Sequence, residues 1–205
     1  MKITWYGHAC FKLEGRDGSL VLDPYSDGSV PGMKLPAISA DAVHCSHGHG
    51  DHNAAALVSL SGGRCTMPLT DIPSFHDELG GAKRGDNLIC LIQTEGKRIV
   101  HLGDLGHEPD DACCKALGSI DILMIPVGGV YTVDAQTAKR ICERLSPGII
   151  IPMHYRCESA GLQNVAPVDD FLRLFPEKAI VRLGSRTLDP DTLPAHSVAV
   201  FPWQK

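Results

Sequence analysis

Residues 47–52 read His-Gly-His-Gly-Asp-His and place four ligand-type side chains within six positions. His47 and His49 are two residues apart, so a locally extended chain points both imidazoles to the same side. The two glycines remove side-chain bulk and let the backbone bend, which turns Asp51 and His52 towards a second point nearby. Neutral imidazole and carboxylate groups suit Zn²⁺ and similar divalent ions. The stretch therefore predicts a metal site rather than a solvated, glycine-rich loop.

Four other stretches of the sequence carry a resemblance to the same protein family: residues 4–9, 103–104, 126–132 and 152–155. Together with residues 47–52 they resemble the metallo-β-lactamase-fold superfamily. The resemblance is to its short, single-domain metal-dependent hydrolases, a group similar to the ascorbate-6-phosphate lactonase-like proteins. It covers nearly the whole chain. It implies an α/β fold, the four-layer αββα metallo-β-lactamase sandwich, with two metal sites at one edge.

The resemblance also implies a set of metal ligands drawn from distant parts of the chain. Each ion is held by its own three residues, and a carboxylate that follows a strand bridges the two ions. The implied ligands are His47, His49 and His76 at the first ion, Asp51, His52 and His154 at the second, and Asp104 between them.

The third ligand of the first ion stays open between two histidines. His76 lies between the 47–52 stretch and Asp104 in the sequence, as the family pattern requires. His101 lies three residues before Asp104 in a predicted strand, where alternation points it away from the side of Asp104. We therefore favour His76 as the ligand. His101 becomes a neighbouring or substrate-facing group, with a buried core histidine as the alternative.

The function implied by the resemblance is hydrolysis. Two divalent ions, Zn²⁺ by preference and Mn²⁺ or Fe²⁺ as alternatives, would bridge a hydroxide that attacks a small ester, lactone or phosphodiester. Asp51 and Asp104 are expected to orient this nucleophile, and His101 or Tyr131 to assist the oxyanion or the leaving group. Asp23, at the end of a strand, is expected to accept hydrogen bonds from the metal loop above it.

Three other functions compete with this hypothesis: a nucleic-acid-processing phosphodiesterase of the same fold, a non-catalytic metal-binding or sensing module, and a di-iron redox enzyme. A formal net charge of −5 and 5% aromatic residues disfavour nucleic acid. The di-iron branch typically has a carboxylate where His49 stands, and it carries a flavin domain. The loop 26–40 is expected to line the pocket with Met33, Lys34 and Leu35, and Lys34 and Arg156 hint at an anionic group on the substrate.

Composition sets the remaining limits. The 205 residues are 43% hydrophobic, without repeats or a linker, and predict one domain over residues 1–205. The N-terminus lacks the apolar run of a secretory signal, and no stretch approaches the roughly 20 apolar residues of a membrane span. We expect a soluble, cytoplasmic protein that acts on a small molecule, with no membrane partner and with homo-oligomer formation left open. The eight cysteines contain no Cys-x-x-Cys pair and are expected to be reduced.

Hydrophobic patterning and breakers predict the secondary structure. A hairpin is expected around the turn at residues 94–96. Predicted strands cover residues 4–6, 10–13, 19–22, 42–46, 87–92, 98–102, 122–127, 149–151, 179–183 and 197–201. Predicted helices cover residues 54–58, 134–145 and 168–175, with a further one around Cys113 and Cys114.

Overall fold

A computed structural model describes residues 1–203. Two large sheets share one hydrophobic core, to which buried side chains of both contribute. The five-stranded sheet has the order β13-β1-β2-β3-β5, and the seven-stranded sheet has the order β12-β14-β11-β10-β9-β8-β7. The first sheet contains β1 (Lys2–Gly7), β2 (Cys10–Gly15), β3 (Gly18–Leu22), β5 (Ala42–His44) and β13 (Thr187–Leu188). The second contains β7 (Leu69–Phe75), β8 (Asp86–Thr94), β9 (Lys97–His101), β10 (Ile122–Pro126), β11 (Ile149–Met153), β12 (Ile180–Arg182) and β14 (Ser197–Val200). A separate two-stranded sheet pairs β4 (Ile38–Ala40) with β6 (Val58–Leu60).

The helices lie in the crossovers of the seven-stranded sheet. They are α1 (Asp111–Leu117), α2 (Ala135–Leu145) and α3 (Val168–Leu172). Three 3-10 turns, at Ala55–Leu57, Glu177–Ala179 and Pro190–Thr192, lie elsewhere along the chain. Strands β9, β10 and β11 are parallel neighbours joined through α1 and α2. Every residue of β10 and β11 is buried, as expected for central parallel strands covered on both faces. None of the helices within residues 1–203 is long and apolar enough to cross a membrane.

The local sequence determines where helix α2 begins, which face it buries and where it ends. Asp134 precedes it, and its side chain accepts a hydrogen bond from the backbone N–H of Thr137. Its buried residues recur at helical spacing and form one apolar face towards the core. The helix ends at Ser146, which adopts a left-handed conformation with φ 46°. The buried residues of α2 are Ala138, Ile141, Cys142 and Leu145.

Most predicted elements are confirmed, including the hairpin of β8 and β9. Three predictions were wrong in extent. The expected helix at residues 54–58 is only a 3-10 turn without a side-chain cap, and its last residue begins β6. The helix predicted over residues 168–175 ends at Leu172. The loop 26–40 contains β4 near its end.

Strand β7 was not predicted. It contains Pro73, which cannot donate a hydrogen bond to a neighbouring strand, and β7 accordingly lies at the edge of its sheet. All eight cysteines are free. Cys10 and Cys90 are buried, whereas Cys45 and Cys65 are only partly buried.

Candidate metal centre

The ends of five strands meet at one edge of the two sheets. The loop at residues 45–52 follows β5, Asp104 follows β9, and His154 follows β11 directly. His76 follows β7, and His8 lies in the tight turn between β1 and β2. Ligand sites in open α/β sheets form outside the carboxyl ends of parallel strands. This topology explains why residues far apart in the chain converge here.

Asp23 fixes the loop at residues 45–52 from below. Its carboxylate accepts hydrogen bonds from the backbone N–H of Ser46 at 2.7 Å and from the Ser46 hydroxyl at 2.6 Å. It also accepts a hydrogen bond from Nδ1 of His52 at 2.8 Å. Asp23 is buried at the end of β3 and adopts a left-handed conformation with φ 45°. Its position therefore agrees with the expectation for an acid beneath the metal loop.

Three histidines have their ring orientation set by hydrogen bonds at Nδ1. The single hydroxyl proton of Ser46 points to Asp23, so Nδ1 of His47, 2.9 Å away, donates to the Ser46 oxygen. Nδ1 of His52 donates to Asp23, and Nδ1 of His76 lies 3.0 Å from the carbonyl oxygen of Tyr131. Each ring thereby turns its Nε2 away from the hydrogen-bonded side, the arrangement that second partners impose on metal-bound histidines.

The ligand atoms form two groups. The nitrogens of the first group lie within 4.8 Å of one another, and so do the ligand atoms of the second group. A divalent ion bound by nitrogen and oxygen ligands at about 2.0–2.2 Å needs this spacing. The first group consists of His47, His49 and His76, and the second group consists of His8, Asp51, His52 and His154.

Asp104 lies between the two groups. Its Oδ2 is 3.1 Å from Nε2 of His76 and 3.2 Å from Nε2 of His154. Its Oδ1 is 3.2 Å from Nε2 of His52, and Oδ2 is 4.0 Å from Nε2 of His47. Burial alone would raise the pKa of Asp104, but His154 and His52 outweigh burial and hold the pKa well below its usual range. A buried, ionised carboxylate thus faces both groups at once.

The donor set fits a metal. Buried polar groups in native proteins normally have hydrogen-bond partners, yet several ligand atoms here have none in hydrogen-bonding geometry. Burial lowers the pKa of His8 and of His47 to about 4, so both are neutral at pH 7 and can act as ligands. The unpartnered buried atoms of the two groups are Nδ1 of His8, Nε2 of His47, Nε2 of His52, both ring nitrogens of His154, and Oδ1 of Asp104.

His8 is the site residue that the sequence analysis did not include in the ligand set. Its Nε2 is 3.2 Å from Oδ2 of Asp51, and its ring centroid is 4.1 Å from that of His154. The backbone of His8 has φ 53°, and its carbonyl accepts a hydrogen bond from the Trp5 indole. A histidine after Gly7 in a tight strand-to-strand turn was the available signal, because such a turn projects its side chain beyond the sheet edge.

The structure corrects the expectation for His101. It is buried, and Nε2 lies 3.0 Å from the carbonyl oxygen of Ala9. Its Nδ1 accepts a hydrogen bond from the backbone N–H of Gly103 at 3.1 Å. Both ring nitrogens are therefore occupied by backbone groups, and His101 is not among the residues lining the cavity at the metal centre. Of the two open alternatives, the structure brings His76 and not His101 to the first group.

A cavity of 440 Å³ opens at the two groups. Tyr131 lies on its wall, as expected for a substrate-facing residue. The hydroxyl oxygen of Tyr131 accepts a hydrogen bond from the Asn164 amide at 2.7 Å. The loop 26–40 contributes Ser29 rather than the expected residues.

The three loop residues expected at the pocket lie elsewhere. Met33 and Leu35 are buried in the core. Lys34 is exposed and pairs with Asp27 at 3.8 Å. Arg156 lines a different cavity, next to Trp203.

This chain is similar in sequence to known metal-dependent hydrolases. A family model described as "Beta-lactamase superfamily domain" matches residues 2–154, a range that contains all the residues of both groups and Asp104. A UPF0173 metal-dependent hydrolase of Carboxydothermus hydrogenoformans is 30% identical over 193 residues, which cover 76% of this chain and 84% of that protein. A UPF0173 protein of Pyrococcus furiosus is 30% identical, with 88% of this chain and 93% of that protein covered.

Solved structures give the same result for the fold. A proposed zinc-dependent hydrolase of the metallo-beta-lactamase superfamily from Thermotoga maritima superposes with a TM-score of 0.77. It is 34% identical in sequence, and the match covers 98% of this chain and 97% of that one. The metallo-β-lactamase sandwich expected from the sequence is confirmed.

Proposed function

Because this chain belongs to the beta-lactamase superfamily, we propose that it is a metal-dependent hydrolase that holds two divalent ions and cleaves a small ester, lactone or phosphodiester. The observation that carries the proposal is Asp104, whose two carboxylate oxygens face histidines of both groups at 3.1–3.2 Å. Zn²⁺ is the favoured ion for this set of imidazoles and carboxylates, with Mn²⁺ and Fe²⁺ as alternatives. When bound, the ions would supply a Lewis acid and a water molecule of lowered pKa.

The two carboxylates of the centre have separate tasks. Asp104 is almost fully buried and supplies the negative charge that lets two cations lie close together. Asp51 is more exposed and lies on the cavity wall, where Oδ2 is held 3.2 Å from Nε2 of His8. We assign to Asp51 the orientation of the attacking water.

Tyr131 is assigned a role at the substrate. Because Asn164 donates to its oxygen at 2.7 Å, the phenolic proton of Tyr131 is left to point elsewhere. A hydroxyl on the cavity wall with a free proton can donate to an oxyanion or to a leaving-group oxygen. Removal of such a donor typically costs about 100- to 1,000-fold in rate.

The test uses the purified protein after chelation and after reconstitution with Zn²⁺, Mn²⁺ or Fe²⁺. The substrates are p-nitrophenyl valerate, an aliphatic lactone and bis(p-nitrophenyl) phosphate. We expect hydrolysis of at least one substrate that disappears on chelation, returns with metal and falls at least about 100-fold in Asp104→Asn. The exposed Asp27→Asn variant is the matched control. Hydrolysis that is insensitive to chelation, or an unchanged rate in Asp104→Asn, would contradict the proposal.

A further inference from the structure

Two cationic side chains line the same cavity as the carboxylates of the metal centre. Lys83 and Arg84 both line it, together with Ser29 and Leu162. We propose that Arg84, supported by Lys83, forms a binding subsite for an oxyanion group of the substrate, a carboxylate or a phosphate monoester, next to the bond that is cleaved. The inference rests on the proposed hydrolase function and specifies its substrate class.

The loop that carries the two cations is held rigidly. Oδ2 of the buried Asp77 accepts hydrogen bonds from the backbone N–H groups of Lys83 at 3.0 Å and Arg84 at 2.7 Å. Oδ1 accepts two more, from Leu79 at 2.8 Å and Gly81 at 3.0 Å. One carboxylate directly after the ligand His76 thus fixes the backbone beneath both cations.

The guanidinium of Arg84 is oriented by contacts with Val130 and Tyr131. Its Nη2 donates a hydrogen bond to the carbonyl oxygen of Val130 at 2.7 Å, and its central carbon lies 5.7 Å from the centre of the Tyr131 ring. These two contacts hold the planar group without neutralising its charge. The remaining N–H groups of the guanidinium are available for a bidentate pair with an oxyanion.

Neither cation is neutralised by the protein. Among residues 1–203, no carboxylate oxygen lies within 4.0 Å of a side-chain nitrogen of Lys83 or Arg84. Other cations of this chain do have such partners, for example Arg140 with Glu108 at 2.7 Å. An oriented, half-buried arginine without an acid, inside the cavity of the proposed catalytic centre, is the arrangement that selects an anionic ligand.

The size of the cavity indicates a small ligand. Its 440 Å³ lies within the range of pockets that enclose small molecules. Leu162 gives one side an apolar surface, which suits a short carbon chain between the oxyanion and the reacting group. A substrate with the oxyanion at Arg84 would be held at two points, and this restricts how it presents the bond to Asp51 and Asp104.

The test compares two esters that differ only at the chain end. p-Nitrophenyl valerate ends in a methyl group, and mono-p-nitrophenyl glutarate has a carboxylate in its place. We expect the metal-loaded protein to prefer the glutarate ester, and Arg84→Gln to lower kcat/KM for that ester by about 10- to 100-fold, with a change below about 2-fold for the valerate ester. Arg16→Gln, at a highly exposed arginine in the β2–β3 turn, is the control. Equal rates for the two esters, or an equal loss for both in Arg84→Gln, would overturn the subsite.

Calorimetry tests anion binding at the proposed subsite without any need for turnover. Glutarate and inorganic phosphate are titrated into the metal-loaded wild type, Arg84→Gln and Arg16→Gln, with metal content and melting temperature measured for each. We expect at least one anion to bind about 10-fold or more weakly to Arg84→Gln at unchanged metal content, and the tighter anion identifies the oxyanion class. Equal affinities in all three proteins would refute the subsite even if the esters are hydrolysed. Loss of affinity without hydrolysis of either ester would support the subsite and count against the proposed function.

Discussion

Nδ1 of His52 donates a hydrogen bond to Oδ2 of Asp23 at 2.8 Å, where both side chains are almost completely shielded from solvent. The same carboxylate holds the backbone N–H and the hydroxyl of Ser46. One acid therefore fixes a ring of the second group and, through Ser46, a ring of the first. The conformation of the loop at residues 45–52 therefore depends on Asp23, although Asp23 itself need not bind a metal.

Asp23→Asn is expected to weaken metal binding by about 10- to 100-fold, because the amide cannot accept all three hydrogen bonds of the carboxylate. Asparagine tolerates the left-handed backbone at this position, so the substitution changes the hydrogen bonds and not the fold. Metal affinity is measured by competition with a chromogenic chelator. Asp27→Asn, which changes an exposed acid in the nearby loop, is the control, and equal affinity of the two variants would contradict the role of Asp23.

His8→Asn tests the residue that the sequence left outside the ligand set. We expect one of two bound ions to be weakened by about 10- to 100-fold, because Asp51 loses its partner at 3.2 Å. His196→Asn is a matched control, since His196 is exposed and has φ 59° against 53° for His8. Titration of the chelated protein with Zn²⁺ reports both steps. If the two variants bind both ions like the wild type, His8 has no part in the centre.

Val130 has φ 64° and is 54% exposed, so it combines a strained backbone with little burial. A β-branched residue in the left-handed region costs about 1–2 kcal/mol, a cost that asparagine largely avoids. We therefore expect Val130→Asn to raise the free energy of unfolding by about 1 kcal/mol and the melting temperature by about 2–4 °C. Val130→Ile keeps the branch and should stay within about 0.5 kcal/mol of the wild type. A less stable asparagine variant would show that the strain is absent.

Asp134 links stability to pH at the start of α2. The backbone N–H of Thr137 donates to Oδ1 at 2.8 Å and lowers the pKa of the Asp134 carboxyl. A carboxyl with a pKa lower in the folded state stabilises the fold above its unfolded pKa of about 3.9, and this stabilisation is lost as pH falls through the folded pKa. Asp134→Ala should therefore cost about 1 kcal/mol at pH 7 and progressively less below about pH 4.

Urea unfolding between pH 3 and pH 7 measures this difference. Asp134→Asn keeps an acceptor oxygen for the helix N-terminus but has no proton to gain, so it is the control and should stay within a few tenths of a kcal/mol of the wild type at pH 7. A stability gap for Asp134→Ala that is the same at pH 3 and pH 7 would contradict the assignment.

The ligand loop was predictable because its information is local. Residues 47–52 bring four donor groups together through glycine-rich backbone, and strand ends at Asp104 and His154 carry their donors to the same edge through parallel topology. The sequence favoured His76 over His101 on strand alternation, and the structure places His76 beside His47 and His49.

Other features depended on contacts that no local pattern encodes. His101 was expected near the substrate, but the backbone of Ala9 and Gly103 occupies both ring nitrogens. Lys34 was expected at the pocket, whereas the cations on its wall are Lys83 and Arg84, positioned by Asp77. In each case the deciding partner is a group whose position is fixed only when the whole sheet edge has assembled.

Asp104 is proposed to lie between two metal ions. Anomalous diffraction at the zinc edge, from crystals of the reconstituted protein, would locate both ions. We expect two peaks per chain, one about 2.0–2.2 Å from the nitrogens of the first group and one at the same distance from ligands of the second group, with the Asp104 carboxylate between them. A map without peaks at these groups, or with both peaks remote from Asp104, would contradict it.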